Sequence, residues 1–182
     1  MTNNPRIGAT YIRLAFHDCV PNGSAGGCDG CVNLAHGANA GLLPAIEALA
    51  PIVKELEDPN LRVSRADIWM LAALLAAEDA QTSLVFTDTF KVGRRNCETA
   101  GTCFNKDKST CASIGPDGPG DFPSPDLTTH QLIDFMADHF GYSADDTVAI
   151  MGAHTLGRAL PGNAGFDGKW VTDEFALSTW LN

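Results

Sequence analysis

The chain has 182 residues, 45% hydrophobic and 19% charged, with a formal net charge of −10 and a pI near 4.7. These values fit one domain with a real core and exclude an intrinsically disordered chain. They also exclude nucleic acid as a partner, since phosphate binding needs a basic stripe and the Lys and Arg are scattered apart from Arg94–Arg95; a negative surface weakly favours neutral or cationic small substrates.

A first helix is predicted from about Pro5 to Cys19, with Asn4 as cap and Pro5 at the first helical position. Ile7, Tyr11 and Leu14 form its apolar stripe, and Arg6, Thr10, Arg13 and His17 its opposite side. Asp18 falls on the apolar side, where a buried carboxylate needs hydrogen bonds, a cation or a metal to meet it. The glycine-rich loop "PNGSAGGCDG" follows, and its Asn22-Gly23-Ser24 is a glycosylation acceptor in a secreted protein.

A second helix covers roughly Leu43 to Glu57, and Pro51 should bend it or sit where its missing hydrogen bond is not felt. The third, "SRADIWMLAALLAAEDA", is capped by Ser64 with Asp67 three residues on. It is apolar almost all round and should lie at the centre. Residues 84–126 are rich in Gly, Pro and Cys and connect two helical halves. A fourth helix runs from about Thr129 to Phe140, with Thr128 and Gln131 as capping box and Gly141 as its end. A fifth begins at Ser143 and carries "TVAIMGAHTLG". A sixth begins within "DEFALSTWLN". No strand ladder is expected, so the class is mainly α.

No apolar run reaches transmembrane length, and the opening "MTNNPRIGAT" lacks the hydrophobic region of a signal peptide. The six cysteines are Cys19, Cys28, Cys31, Cys97, Cys103 and Cys111. An even count in Gly/Pro/Ser-rich segments points to disulfides and an oxidising, secreted or extracellular setting. The CxxC spacing of Cys28 and Cys31 leaves a metal knuckle or redox pair as the rival reading.

Two constellations carry chemistry. Arg13 and His17 lie four apart, on one helix face. Alone such a pair reads as a solvated stripe, but Phe16 between them and Asp18 on the apolar side make a site. His154 follows Ile150 and Met151, so it projects from an apolar face flanked by Gly152 and Gly157. Each glycine costs roughly 1 kcal/mol inside a helix, which makes sense if something large and flat lies near the backbone. One imidazole facing a flat apolar slot is what a haem iron takes as proximal ligand.

"RLAFHDC" (13–19) and "MGAHTLGRA" (151–159) together resemble the distal and proximal signatures of the plant-type haem peroxidase superfamily. "HGANAGL", "SRADIW", "VGRRN", "FPSPDL" and "GFDGKW" resemble further family segments in the right order. The resemblance implies a single haem peroxidase domain over residues 1–182. Its distal half spans about 1–90, its connecting loops about 91–126 and a partial proximal half about 127–182. It implies haem b held between the two halves by His154, with Phe16, Trp170 and Pro125 against the cofactor. His17 would be the base, Arg13 the charge stabiliser and Asn39 the acceptor that orients His17. The partners would be hydrogen peroxide and a small reducing donor, the protein a monomer, and its role a response to oxidative stress.

The resemblance also implies a Cys19–Cys28 disulfide. Calcium would sit on Asp18 and Asp29 with main-chain oxygens of Val20 and Gly27, and Thr155 would belong to a second calcium site. Cys31 stands where the family has a Ser hydroxyl, a poor exchange for so hard an ion. Asn163 replaces the Arg of ascorbate-using members. Arg6 and Thr10 replace manganese-binding carboxylates, and Ala149 replaces a surface Trp, which leaves a phenolic or aromatic donor. Trp170 matches the intracellular members and Phe16 the secreted ones. Family domains begin with a further short helix and run several dozen residues longer, into the part that holds the Asp partner of the proximal His. The chain is therefore expected to be incomplete at its C-terminus, with a non-catalytic haem-binding relative or a Cys/His metal module as the alternatives.

Overall fold

The computed structural model describes residues 5–22, 25–34, 36–56, 61, 63–80, 85, 87–97 and 122–169. Asn4, the Gly23-Ser24 pair, Cys103, Cys111, Trp170 and the expected sixth helix lie outside the described residues. The class is mainly α, as expected. The helices are α1 (Pro5–Cys19), α2 (Leu43–Leu56), α3 (Arg65–Asp79), α4 (Thr129–Phe140), α5 (Ala144–Met151) and the short α6 (Pro161–Ala164). Single 3₁₀ turns cover Gly37–Asn39, Thr87–Thr89 and Gly152–Thr155. A two-residue hairpin, Pro21–Asn22 against Ala25–Gly26, was not anticipated. No helix among the described residues is long and apolar enough to cross a membrane.

The core forms where α1, α2 and α3 meet. Leu14 of α1 is fully enclosed by Val32, Leu34, Leu42, Ile46 and Trp69. Burying one such leucine contributes about 2–3 kcal/mol. α3 packs most extensively on α1, and its small Ala73 and Ala76 are buried. The C-terminal half of α3 is less enclosed than its sequence suggests, with Leu75 37% exposed. Pro51 sits inside α2 on the exposed side.

Two capping boxes form as read, at Ser64/Asp67 and Thr128/Gln131, and Ser143 with Asp146 makes another at the start of α5. Asp67 has a second task. Its buried carboxylate accepts from the Gly93 N–H at 2.9 Å and pairs with the Arg94 guanidinium at 2.9 Å. Burial alone would push this carboxyl up, but the Gly93 N–H, the Arg94 side chain and the cap bonds hold it below the usual range. One side chain therefore starts α3 and fastens the segment after it.

The distal loop is fastened from the other side. Cys19 bonds Cys28, and Cys31 bonds Cys97 across 66 residues of chain. The two cysteines of "CDGC" thus belong to different disulfides, which overturns the metal-knuckle and redox-pair reading. Asp29, Cys31 and Cys97 lie together, but a sulfur committed to a disulfide is no thiolate ligand. Closing a loop that long removes on the order of 4 kcal/mol of unfolded-chain entropy.

Gly30 sits at the crossing of these ties. Its φ is +73°, and an added Cβ would come within 2.9 Å of the Ala66 backbone nitrogen. Gly30→Ala should therefore lower unfolding stability by about 2–4 kcal/mol, from the left-handed backbone plus the clash. Chemical denaturation measures this, and an unchanged midpoint would contradict the packing described.

Candidate active site

The polar face of α1 points at the turn 36–42. The Arg13 guanidinium donates to the Ala40 carbonyl at 2.8 Å and the Ala38 carbonyl at 2.6 Å. Between those carbonyls stands Asn39, 8% exposed. Its Nδ2 donates to the Asn33 carbonyl at 2.8 Å, which fixes the amide and turns Oδ1 toward His17. The Asn39 Oδ1 to His17 Nδ1 distance is 2.8 Å. An amide oxygen only accepts, so Nδ1 carries the proton and the neutral ring has its lone pair on Nε2.

The environment keeps that ring neutral. Burial pushes the His17 pKa down to about 4, and the charges of Arg13, His36 and His154 push the same way; the Asn39 hydrogen bond opposes them. An aromatic lid supplies much of the burial. The Phe122 ring lies 4.6 Å from the His17 ring, and Phe16 reaches Phe122 at 6.4 Å and Phe140 at 6.0 Å. Phe122 was missed from sequence, although it opens the same "FPSPDL" segment as Pro125. Pro125 itself is exposed in a turn, and the residue of that segment that touches His17 is Phe122. Asn33 and His36 were also missed, because nothing local marks a carbonyl or a cap as part of a site.

His154 lies just beyond an α-helix rather than within it. α5 ends at Met151, and His154 is an exposed residue of the 3₁₀ turn. Its charge nevertheless reaches His17. Its Nδ1 faces the Met151 carbonyl at 3.1 Å; a carbonyl only accepts, so Nδ1 donates and Nε2 holds the lone pair that a metal needs. The flanking glycines differ in their surroundings. Gly152 has open space around it, and Gly157 at φ +77° lies against α1, where a Cβ would meet Ala9 at 2.9 Å. The donor set fits a haem iron: His154 Nε2 would be its ligand, with the His17 imidazole and the Arg13 guanidinium of α1 as base and cation.

At the end of α1 the buried Asp18 has partners. Its Oδ2 accepts from the Gly30 N–H at 3.0 Å and its Oδ1 from the Cys31 N–H at 2.8 Å. Burial pushes its carboxyl up to about 7; the neighbouring Asp29 adds to this, while the two N–H groups and Arg65 oppose it. Val20 is buried, Gly27 and Asp29 are half-buried, and Asp29 Oδ1 also accepts from the Cys31 N–H at 3.1 Å. The buried Arg65 donates to the Gly30 carbonyl and reaches both Cys31 and Cys97 sulfurs. Thr155 is exposed, and its hydroxyl donates to the Gly152 carbonyl at 2.8 Å.

A Peroxidase family model matches residues 1–167. A probable L-ascorbate peroxidase 4, peroxisomal, from Oryza sativa subsp. japonica is 34% identical over 89% of this chain and 50% of its own. A mitochondrial cytochrome c peroxidase from Aspergillus fumigatus is 29% identical over 96% of this chain and 43% of its own. Peroxidase P7 from Brassica rapa subsp. rapa is 31% identical over 87% and 50%. This chain belongs to the plant-type haem peroxidase superfamily. It spans about half the length of the curated relatives it matches.

The site predicts a pH signature. Folded His17 protonates only near 4, against 6.5 when unfolded, so the unfolded chain binds more protons in that window and acidification costs stability. Asp18 has the opposite sign, since its folded carboxyl binds protons up to about 7 against 3.8 unfolded. His17→Gln removes only the first contribution. Its denaturation midpoint relative to the parent should rise as pH is lowered from neutral towards 4, and a difference constant with pH would contradict the buried neutral imidazole.

Proposed function

We propose that this chain supports a haem-dependent peroxidase reaction, reducing hydrogen peroxide and oxidising a small phenolic or aromatic donor in one-electron steps. The observation that carries the reading is the chain Asn33–Asn39–His17, which sets a neutral His17 with its lone pair on Nε2 beside the Arg13 cation. Haem b, held through His154 Nε2, would supply the iron that binds peroxide and the electrons that cleave its O–O bond. His17 Nε2 takes the proton from one peroxide oxygen and returns it to the other, which leaves as water. Arg13 lowers the cost of negative charge on the departing oxygen. Asn39 holds the ring so that Nε2 stays the basic nitrogen, and Phe16 and Phe122 keep bulk water away from it.

The donor is assigned from what stands beside the turn. Asn163 packs against Gly41, where the ascorbate-using members carry an Arg. Without that cation an anionic donor has less to hold it, which favours a neutral phenol. A response to oxidative stress follows from peroxide removal. The two disulfides favour an oxidising compartment; two of the named relatives are peroxisomal and mitochondrial, and their addresses are not carried over.

Calcium on Asp18 and Asp29, with the main-chain oxygens of Val20 and Gly27, would offset the repulsion of two adjacent carboxylates. Added calcium should then raise the melting temperature of the parent but not of Asp29→Asn, and no response in the parent removes the ion from the account.

A second reading, haem binding without catalysis, is favoured by the neutral carbonyl that His154 Nδ1 meets. A carboxylate there would raise ligand basicity more. Haemin titration followed by peroxide separates the two. Haem binding should depend on His154, and His154→Ala should abolish it. His17→Ala should keep haem and slow peroxide cleavage by about 10²–10⁴-fold. Peroxide leaving the spectrum of the loaded parent unchanged would establish the second reading, and a His17→Ala rate equal to the parent's would overturn the base assignment.

A further inference from the structure

His36 caps the turn that carries the distal trio. It stands at the N-cap of Gly37–Asn39 with φ −73° and ψ 132°, and its Nδ1 accepts from the Ala38 N–H at 3.3 Å. The same residue brackets Asn39 through its backbone. Its N–H donates to the Asn33 carbonyl at 3.1 Å, the carbonyl that also takes Asn39 Nδ2, and its own carbonyl accepts the Asn39 N–H at 3.0 Å. Ala38 passes the arrangement on, since its carbonyl accepts from Arg13.

The hydrogen bonds assign the tautomers. His17 and His154 each donate from Nδ1. His36 accepts at Nδ1, so its proton is on Nε2. His17 and the two imidazoles whose charges act on it therefore hold two different tautomers, and only His36 is required to keep a lone pair on Nδ1. A protonated His36 has a donor where Ala38 needs an acceptor.

We propose that His36 is a positioning residue of the distal site, whose neutral imidazole holds the turn that orients Asn39 and anchors Arg13. Acidification that protonates His36 loosens this turn and releases His17 and Arg13 together. The titratable groups that α1 brings to the turn are Arg13, which donates to its carbonyls, and the neutral His17, whose protonation a charge on His36 opposes. α6, packed on the same turn, brings the uncharged Asn163, and α2 opens after it with Leu43 and Pro44.

The proposal rests on reading Arg13, His17 and Asn39 as the distal trio, and its first readout is independent of haem. In the haem-free full chain, the NMR shift of the Ala38 amide should follow the titration of the His36 ring. His36→Asn offers an acceptor at every pH, because Asn is a good N-cap, and should remove that pH dependence. In the haem-loaded chain, His36→Asn should keep the parental rate of peroxide cleavage at neutral pH and lose the fall that tracks His36 protonation. His36→Ala should be slower at all pH, by at least about tenfold, as expected for a misplaced catalytic pair. An Ala38 amide that ignores the His36 titration overturns the proposal whether or not haem binds. So does a His36→Asn profile that retains the parental acid limb. Failure to load haem or to react with peroxide, with the amide titration intact, would instead refute the catalytic reading alone.

Discussion

The grip of the Arg13 guanidinium on the Ala38 and Ala40 carbonyls is the constraint on which the site depends. A partly buried cation loses water and must find acceptors. Burial lowers the Arg13 pKa, yet a guanidinium stays protonated, so the cost is met by backbone oxygens. Those oxygens flank Asn39, and holding them fixes which way Asn39 faces. α1 and the turn are then a single unit, and His17 is aimed by a residue 22 positions away. Leu42, fully buried just past the turn, ties the same unit to the apolar core.

The far end of α1 uses the same device with the opposite charge. Asp18 takes its hydrogen bonds from the main chain, at Gly30 and Cys31, and Arg65 takes the Gly30 carbonyl. The 30–31 peptides thus lie between an anion and a cation, both buried. Breaking one partner leaves the other uncompensated, which costs more than the pair contributes. The two disulfides hold the same loop covalently. The end of α1, the loop after it and the start of α3 are locked at one point, leaving little freedom for the His17 backbone.

Features written in local sequence were legible. The capping boxes depend on residues three apart, and all three form. The burial of Asp18 followed from the helical wheel, and Arg13, His17 and Asn39 do converge. Long-range choices were not legible. Nothing in "CDGC" says that its cysteines go to different partners, one of them 66 residues on. Phe122 joins the site because the chain returns there, not because of its neighbours. Gly157 has a cause that local sequence does not show, the approach of Ala9 from α1. His154 was expected on an apolar helical face, but the α-helix ends at Met151 and a 3₁₀ turn carries it. The tautomers of His17, His36 and His154 follow only from which atoms meet.

The account stands on the state of one ring, and nitrogen-15 NMR of the His17 imidazole in the full chain at neutral pH tests it most directly. The predicted result is a protonated, pyrrole-like Nδ1 and a lone-pair, pyridine-like Nε2, with no imidazolium until the pH approaches about 4. A proton on Nε2, or an imidazolium at neutral pH, would contradict it.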